Sequence, residues 1–330
     1  MRLALAAALV LLTPAVAAAQ EPVAPEQPPP AAPPIPEITM TAERVHPAGH
    51  RSIVLRGRSC LLRGTMTPVP VPVPVPVPAT RQRVTLRIHR DGRLIRTVHA
   101  RVRRDGSFSR RVPTRRQGRL AVRALHRATP ELGAARGPKV AVLVVEPYAA
   151  EGARGPLVRL LQRGLEQLRY AVPRNDRFDS ATGRAVMAFR KVNFMPRRYD
   201  ADRRVISMVL AGRGAFKPRY PDAGHHAEAD ISRQVLALID RGKVVATYHT
   251  STGAPATPTI IGNFRVYLKT PGTNVKGMVH SSYFIRGYAI HGYYDVPAFN
   301  ASHGCLRVPI ADAWRIFTWL RIGDRVITYP

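Results

Sequence analysis

Hydrophobic side chains in the first half of the chain alternate with polar ones, with a period of two residues. The alternation covers residues 84–88, 98–102, 120–124 and 140–144. Asp-Gly dipeptides follow two of these segments and are typical of hairpin turns. A period of two indicates strands with one buried face. We therefore predict an antiparallel β-sandwich over residues 51–147, and it contains no cluster of catalytic side chains.

The apolar period becomes helical between residues 154 and 212. Asp179 stands at the start of the second helical stripe as an N-cap residue, with Phe178 before it to pack against the first turn. The stripes consist of Leu157, Leu160, Leu161, Leu165 and Leu168, then Ala185, Ala188, Phe189 and Val192. Repeats of three and four residues place each set on one helix face. We predict a small helical domain over 154–212.

The last segment, residues 225–330, returns to strand patterns. Two apolar runs flank the dipeptide at 241–242 and predict a β-hairpin. Residues 288–290 predict a strand that leads into a histidine, and residues 309–320 predict a helix. The aromatic side chains of that helix, which we expect in the core, are Trp314, Phe317 and Trp319. The segment is thus mostly β with short helices.

The N-terminus carries the features of an export signal. Residues 1–19 combine an early arginine, a short apolar run and a final Ala-Ala-Ala, which is typical of a signal peptide. Residues 20–50 are rich in proline and alanine and predict a linker. A strict Val-Pro repeat at 68–78 predicts an extended loop within the sandwich. We expect an exported protein of the envelope space without stable membrane insertion.

The chain is strongly basic, with a formal net charge of +30 and a pI near 11.5. Arginine outnumbers lysine 45 to 6, and the arginines are spread over every segment. Export and this even spread argue against nucleic acid as the partner. In the envelope such a surface would associate with anionic wall polymers. Solvated charge without a specific partner is the alternative.

Only two cysteines occur, Cys60 and Cys305. Exported proteins normally pair their cysteines, but a disulfide here would consume the thiol of Cys305, which is the candidate nucleophile. We therefore expect Cys60 to be a small buried side chain. The histidines lack the spacing of a zinc motif, and we predict neither a metal nor another cofactor.

The candidate chemistry lies in two short motifs, His291-Gly292 and Ser302-His303-Gly304-Cys305-Leu306-Arg307. A cysteine becomes a nucleophile as its thiolate, which requires a nearby base or positive field. Glycines at 292 and 304 would leave room for a substrate backbone and for unusual loop geometry. A buried cysteine near an unrelated histidine is the alternative for such a pair.

These motifs closely resemble the signature of the L,D-transpeptidase (YkuD-type) catalytic domain, over residues 225–330. Residues 251–253 (Ser-Thr-Gly), 257–258 (Thr-Pro) and 262–264 (Gly-Asn-Phe) resemble its earlier elements. The resemblance implies a mostly β sandwich with short helices and action on peptidoglycan stem peptides. Residues 154–212 resemble the small three-helix peptidoglycan-binding domain, for which we expect wall affinity and no part in turnover. The N-terminal sandwich looks immunoglobulin-like.

The resemblance implies a role for each motif residue. Cys305 would attack a stem peptide carbonyl, release D-alanine and leave a thioester, which an amine of a second stem resolves to a 3→3 cross-link. His291 would be the general acid and base. Backbone N–H groups of Gly304 and Cys305 are expected as oxyanion donors. Ser302 and His303 would shape the loop, and His303 is the alternative base.

Three further residues are expected to contact substrate. Arg307 would bind a stem carboxylate with two hydrogen bonds, with a structural salt bridge as the alternative. Tyr288 would form a wall of the donor groove, with ordinary packing as the alternative. Gly292 would give the substrate room beside His291.

Other functions remain open at this point. An L,D-carboxypeptidase would use the same residues and accept water. A papain-like endopeptidase also uses cysteine and histidine, but there the cysteine precedes the histidine. A non-catalytic wall-binding protein is the alternative outside enzymes, and the intact His291 and Cys305 pair argues against it.

Overall fold

The computed structural model describes residues 32–68 and 82–330. The predicted signal peptide, the start of the predicted linker and the Val-Pro repeat from residue 69 lie outside these ranges.

The N-terminal part is built from two sheets that pack face to face. One has the strand order β1-β4-β7, and the other has the order β2-β3-β9-β8-β5-β6. Their strands are β1 (Pro36–Glu43), β2 (His46–Ala48), β3 (Arg51–Leu55), β4 (Ser59–Pro68), β5 (Arg83–Arg90), β6 (Arg93–Arg101), β7 (Ser107–Pro113), β8 (Gly118–His126) and β9 (Ala135–Val145).

The alternating apolar positions of these strands form one core between the sheets. Val84 and Leu86 of β5 and Leu120 and Val122 of β8 are buried together, as their alternation predicts. Cys60 of β4 is buried in the same core with a free thiol, which confirms its prediction as a small buried side chain. The immunoglobulin-like assignment stays a prediction.

The predicted linker ends earlier than expected. Instead of extending to residue 50, the chain enters β1 at Pro36, and β1 pairs with β4 along its whole length. The reason is a local alternation that the proline-rich composition obscures: Ile38 and Met40 point into the core while their neighbours are exposed. Two buried side chains and a full ladder of backbone hydrogen bonds hold this segment in the sheet.

Three helices follow, α1 (Pro156–Gln167), α2 (Ser180–Val192) and α3 (Arg203–Leu210). Asp179 caps α2 as predicted, because its side chain accepts a hydrogen bond from the backbone N–H of Thr182. Asp202 caps α3 in the same way, through Val205 N–H. Helix formation in this segment is therefore confirmed, whereas peptidoglycan binding stays a prediction.

The C-terminal part holds two more sheets and a helix. A five-stranded sheet has the order β12-β11-β10-β18-β13, and a four-stranded sheet has the order β14-β15-β16-β17. The elements are β10 (His226–Asp230), β11 (Val235–Asp240), β12 (Lys243–His249), β13 (Gly262–Arg265), β14 (Leu268–Thr273), β15 (Val279–Ile285), β16 (Tyr288–Tyr293), β17 (Leu306–Pro309), α4 (Ile310–Trp319) and β18 (Arg325–Tyr329). The predicted hairpin is the β11–β12 pair.

Two of the three aromatic side chains of α4 depart from the prediction that they lie in the core. Trp314 is 57% exposed, and Phe317 is half-buried beside it. The core-facing positions of α4 are taken by Ala313 and Ile316. Ala313 fits there because α4 lies close against β16, so the rings of Trp314 and Phe317 lie on the outer side of the helix. Trp319 packs, partly buried, against the core as predicted.

The three helices share their core with the five-stranded sheet. The apolar stripe of α1 and α2 is buried together with side chains from one face of β11, in a cluster that includes Leu161, Leu165, Val186, Phe189, Val235, Ala237 and Ile239. The opposite face of β11, with Leu236 and Leu238, belongs to the core beneath the four-stranded sheet. The helical segment and the C-terminal sheets are therefore one packed body.

Candidate active site

Two neighbouring strands bring the predicted histidine and cysteine to one sheet face. Strands β16 and β17 run parallel, with Ile290 opposite Leu306 and His291 opposite Arg307. Cys305 directly precedes β17. Ile290 and Leu306 point into the core, and side chains alternate along a strand. His291 and Cys305 therefore lie on the other face, on adjacent strands.

The ring of His291 is buried and held in one tautomer. Its Nδ1 lies 2.9 Å from the carbonyl oxygen of Gly292. A carbonyl oxygen can only accept, so Nδ1 carries the proton and Nε2 is the basic nitrogen. Burial lowers the pKa of His291 to about 4, and the charge of Arg307 acts in the same direction, while the bond to Gly292 opposes them. The ring is therefore a neutral base at pH 7.

The thiol of Cys305 is free and partly accessible. Its Sγ donates to the carbonyl oxygen of Gly287 over 3.8 Å. Burial raises the pKa of the Cys305 thiol, while a hydrogen bond from the backbone of Ala289 and the charges of Arg307 and Lys276 oppose this shift. The pair is therefore a neutral thiol with a neutral imidazole, not a preformed thiolate and imidazolium.

A tight bend held by one hydroxyl precedes the thiol. Ser302 Oγ donates to the carbonyl oxygen of Cys305 over 2.6 Å and accepts the N–H of Gly304 over 3.1 Å. The Gly304 N–H, predicted as an oxyanion donor, is engaged by Ser302 in this arrangement, and its role as an oxyanion donor stays a prediction. Ser302 shapes the loop as expected, and His303 is exposed between them.

Only glycine fits at position 304, because of its backbone conformation and of the side chain packed against it. Its φ is +105°, and a Cβ at this position would overlap the ring of Tyr288. The Tyr288 ring thus packs directly on the loop that carries Cys305. The position requires glycine because any side chain there would collide with the ring against which the bend packs. Tyr288 therefore supports that bend.

Gly292 is also a packing position, which corrects the expectation that it leaves room for substrate. A Cβ there would lie 2.7 Å from Cβ of Ala313 and 3.1 Å from Cα of Ile310. Helix α4 therefore occupies the space beside Gly292. The contribution of Gly292 to the site is its carbonyl oxygen, which fixes the ring of His291.

Two threonines, Thr259 buried and Thr257 half-buried, brace the cysteine loop from the side of the earlier motifs. Thr259 Oγ1 accepts the N–H of Gly253 over 2.9 Å and donates to the carbonyl oxygen of Gly304 over 2.9 Å. Thr257 Oγ1 donates to the carbonyl oxygen of Ser302 over 3.0 Å. Sequence reasoning recognised Thr257 as a motif residue but assigned it no role, and it did not single out Thr259. Their signal was a pair of threonines two residues apart, on either side of Pro258.

Arg307 lies on the same face as the His291 ring. Its guanidinium carbon is 4.2 Å from the centre of the Tyr293 ring, and the Tyr293 ring meets the His291 ring edge-on at 5.7 Å between centroids. The carboxylate of Asp295 is 3.9 Å from Arg307 Nη1, which is too long for a charge-assisted hydrogen bond. The N–H donors of the Arg307 guanidinium therefore lie near His291, the candidate base.

In the described ranges, no group of three or more histidine, cysteine or acidic side chains is arranged to hold a metal ion. No helix of the same ranges is long and apolar enough to cross a bilayer.

Comparison with known proteins assigns the C-terminal part to a family. Residues 224–328 match the family model of the L,D-transpeptidase catalytic domain, known as YkuD. The chain is also similar to the solved L,D-transpeptidase (residues 123–326) of Xylanimonas cellulosilytica, at 30% identity and a TM-score of 0.52, over 56% of this chain and 98% of that chain. The chain therefore belongs to the L,D-transpeptidase family.

Other solved structures are similar at lower identity. An L,D-transpeptidase of Stackebrandtia nassauensis has 17% identity and a TM-score of 0.35, over 55% of this chain and 95% of that chain. The catalytic domain of an L,D-transpeptidase of Enterococcus faecium has 24% identity and a TM-score of 0.29, over 32% of this chain and 98% of that chain. No curated protein sequence matches the chain.

Proposed function

We propose that this L,D-transpeptidase joins peptidoglycan stem peptides by 3→3 cross-links, with Cys305 as nucleophile and His291 as general base and acid. The observation that carries the proposal is the single sheet face that holds a free thiol and a neutral imidazole on adjacent strands. Family membership supports the reaction class. An exported location in the cell envelope follows from this substrate.

The reaction proceeds in two acyl transfers. As the sulfur of Cys305 forms a bond to the carbonyl carbon, Nε2 of His291 takes the thiol proton. The C–N bond to the terminal D-alanine breaks, and His291 returns the proton to that leaving amine. An amine of a second stem then attacks the thioester and gives up its proton, and the thiol of Cys305 is regenerated.

Two groups can stabilise negative charge in this reaction, one at the oxyanion and one at a carboxylate of the stem. The N–H of Cys305 is the preferred candidate for the oxyanion donor of the loop, since that of Gly304 is engaged by Ser302. Arg307 faces the same side as His291 and offers a planar fork suited to a carboxylate of the stem. Water as the acceptor instead of an amine would make the same site a carboxypeptidase.

Intact mass measurement tests the nucleophile. Incubating the purified protein with a β-lactam of the carbapenem class should add one acyl group to the wild-type chain and none to Cys305→Ala. The matched control is Cys60→Ala, which should be acylated like the wild type because Cys60 is buried in the sandwich. An adduct on Cys305→Ala, or no D-alanine release from a tetrapeptide substrate, would contradict the proposal.

A thiolate titration tests how the nucleophile is activated. Burial raises the pKa of the Cys305 thiol, so the thiol should be protonated at neutral pH and thiolate should accumulate only at alkaline pH. Thiolate absorbance near ~240 nm, measured as the difference between wild type and Cys305→Ser, reports this directly. A stable thiolate signal at pH 7 would mean an ion pair with His291 instead of general-base activation.

We also propose that the six-stranded sheet binds anionic wall polymers. Arg87 lies directly opposite Arg123, and Arg123 directly opposite Lys139, on three adjacent strands. Like charges in directly opposed positions repel, and in the described part of the chain none of the three has an ion-pair partner. A linear polymer with regular phosphates would relieve this repulsion along the row.

Binding of inorganic polyphosphate at about 150 mM salt tests this surface. Changing Arg87, Arg123 and Lys139 to serine should weaken binding about tenfold. The control removes the same charge from exposed positions elsewhere, at Arg104, Arg115 and Arg116. Equal losses in both triple variants would mean that net charge alone, and not the row, attracts the polymer.

A further inference from the structure

Lys191 of α2 is a buried lysine whose partners lie outside its own helical segment. It is 2% exposed. Its Nζ lies 3.1 Å from the carbonyl oxygen of Gln234, 2.8 Å from that of Thr250 and 2.7 Å from Nδ1 of His249. Within the described ranges, no carboxylate forms an ion pair with Lys191. Buried lysines are rare without such a pair, so the burial of Lys191 requires an explanation.

The three acceptors match the three N–H donors of an ammonium group. Burial lowers the pKa of Lys191 to about 6, whereas three converging acceptors favour the charged form. In either protonation state an N–H of Lys191 can point at Nδ1 of His249. The side chain therefore acts as a hydrogen-bond donor at a fixed point inside the catalytic domain.

The contact with Lys191 determines the tautomer of His249. Because Lys191 donates to Nδ1, the hydrogen of the imidazole is on Nε2, which donates to the carbonyl oxygen of Val296 over 2.9 Å. Burial, together with the charge of Lys191, lowers the pKa of His249 to about 3, so the ring is neutral. A chain of two hydrogen bonds thus runs from α2 to Val296.

Val296 belongs to the loop at 294–301, which joins His291 of β16 to the segment of Cys305. A second residue of the helical segment, Arg197, donates to the carbonyl oxygen of Ala298 over 2.8 Å. The loop is therefore held at two carbonyl groups by contacts that begin in the helical segment. A loop between two reacting groups influences their relative position directly.

A second route leads from Lys191 toward the cysteine. Gln234, whose carbonyl oxygen accepts from Lys191, uses its side chain to bind Thr252 at both the N–H and Oγ1. Thr252 in turn accepts the backbone N–H of Ser302 at its carbonyl oxygen, over 2.9 Å. Ser302 holds the bend before Cys305. Lys191 thus contacts a hydrogen-bond network that holds both the loop at 294–301 and the bend before Cys305.

We propose that Lys191 is a positioning residue, which orders the loop at 294–301 through His249 and so sets the placement of Cys305 relative to His291. The helical segment then contributes to turnover, in addition to any affinity for the wall. The kinetic part of this proposal rests on the proposed function, whereas the ordering of the loop does not.

The test compares two neighbouring buried cations of the same helix. Lys191→Met keeps the length of the side chain and removes its donors. Arg190→Met is the matched control, because Arg190 is 1% exposed and its partners, Pro196, Asp200 and Asp202, all lie within the helical segment. Both changes remove a buried basic side chain, but only Lys191→Met disconnects His249.

Hydrogen exchange measured by mass spectrometry reports how well the loop at 294–301 is ordered, and it does not require enzyme activity. Lys191→Met should increase amide exchange in peptides that cover 294–305 about tenfold or more, and Arg190→Met should leave these peptides unchanged. Acylation of Cys305 by a carbapenem should slow at least about tenfold in Lys191→Met, mainly in the rate at saturation, and less than about twofold in Arg190→Met. Equal behaviour of the two variants in exchange and rate would overturn the proposal.

One further variant tests the route through His249. The double variant Lys191→Met/His249→Phe replaces the polar pair by an apolar one and avoids an unpaired imidazole nitrogen. If Lys191 acts through His249, the double variant should react no more slowly than Lys191→Met, and additive losses would contradict this route. If the wild type itself is never acylated, the proposed function fails, and the exchange data still decide whether Lys191 orders the loop.

Discussion

The N-terminal sandwich and the helical segment both precede the catalytic domain, but they relate to it differently. The sandwich closes its own core, whose buried side chains all come from strands β1 to β9 and their connections. The helices have no closed core of their own and share theirs with strand β11. A change of sequence period therefore marks a new kind of element, and it does not by itself mark an independent domain.

The contact between the sandwich and the helices is small by comparison. One small cluster joins Ala48 and Ile53 to Leu160 of α1, and Leu55 reaches the shared core. Arg203 adds a hydrogen bond from α3 to the carbonyl oxygen of Arg56. We therefore expect the molecule to separate into a sandwich and a catalytic body that includes the helices.

Deletions give the largest effect that this comparison predicts. A chain of residues 147–330 should fold and keep the acylation rate of the full chain, because the body retains its core. Removing 154–212 instead exposes Val235, Ala237 and Ile239, which are fully buried against the helices. Losing that apolar contact should cost several kcal/mol, which is comparable with the whole stability of a typical domain, about 5–15 kcal/mol.

Circular dichroism with thermal melting, together with acylation of Cys305, distinguishes the two deletion products. The expected result is a cooperative transition for the first and none for the second. A soluble and active product without residues 154–212 would show that the helices are an accessory domain, as their sequence resemblance suggests, and would separate them from the catalytic body.

Much of this organisation could be predicted from the sequence. The alternation in β5, β6, β8 and β9, the cap of α2 at Asp179 and the hairpin β11–β12 follow from local patterns, since each depends on neighbouring residues. The strand with His291 was also predicted, because the motif and the apolar run before it coincide. These features depend on short-range chemistry.

The sharing of cores could not be predicted with the same rules, although one signal was present. Residues 235–239 of β11 are apolar at every position, and such a run indicates a strand that is covered on both faces. The pattern does not say which element covers it. Lys191 gave no signal at all, since a lysine near the end of a helix is normally exposed and interacts with the helix dipole.

Within the site, sequence reasoning located the motif residues but not the use of their backbone groups. Gly304 N–H was expected to be free and is bound by Ser302, and the space beside Gly292 is filled by α4. The first difference arises within the loop itself, from a bond between groups two residues apart. The second arises from the packing of α4, which only the tertiary structure defines. Residue type at a motif position therefore predicts chemistry better than it predicts geometry.

The smallest predicted effect concerns the contact between the sandwich and the body. Arg203 is exposed, and its Nη1 donates to the carbonyl oxygen of Arg56 over 2.9 Å. A single exposed hydrogen bond contributes at most about 1 kcal/mol. Arg203→Ala should therefore lower the free energy of unfolding by less than about 1 kcal/mol and leave acylation of Cys305 unchanged.

Chemical denaturation followed separately in the two parts measures this effect. Acylation of Cys305 reports the catalytic body, and alkylation of Cys60 reports the sandwich, because Cys60 is accessible only when its core opens. With a weak boundary, loss of Cys305 acylation and gain of Cys60 alkylation should occur at different denaturant concentrations, and Arg203→Ala should widen the gap only slightly. Coincident transitions of the two readouts in the wild type, separated in Arg203→Ala, would mean that this contact couples two parts that otherwise unfold independently.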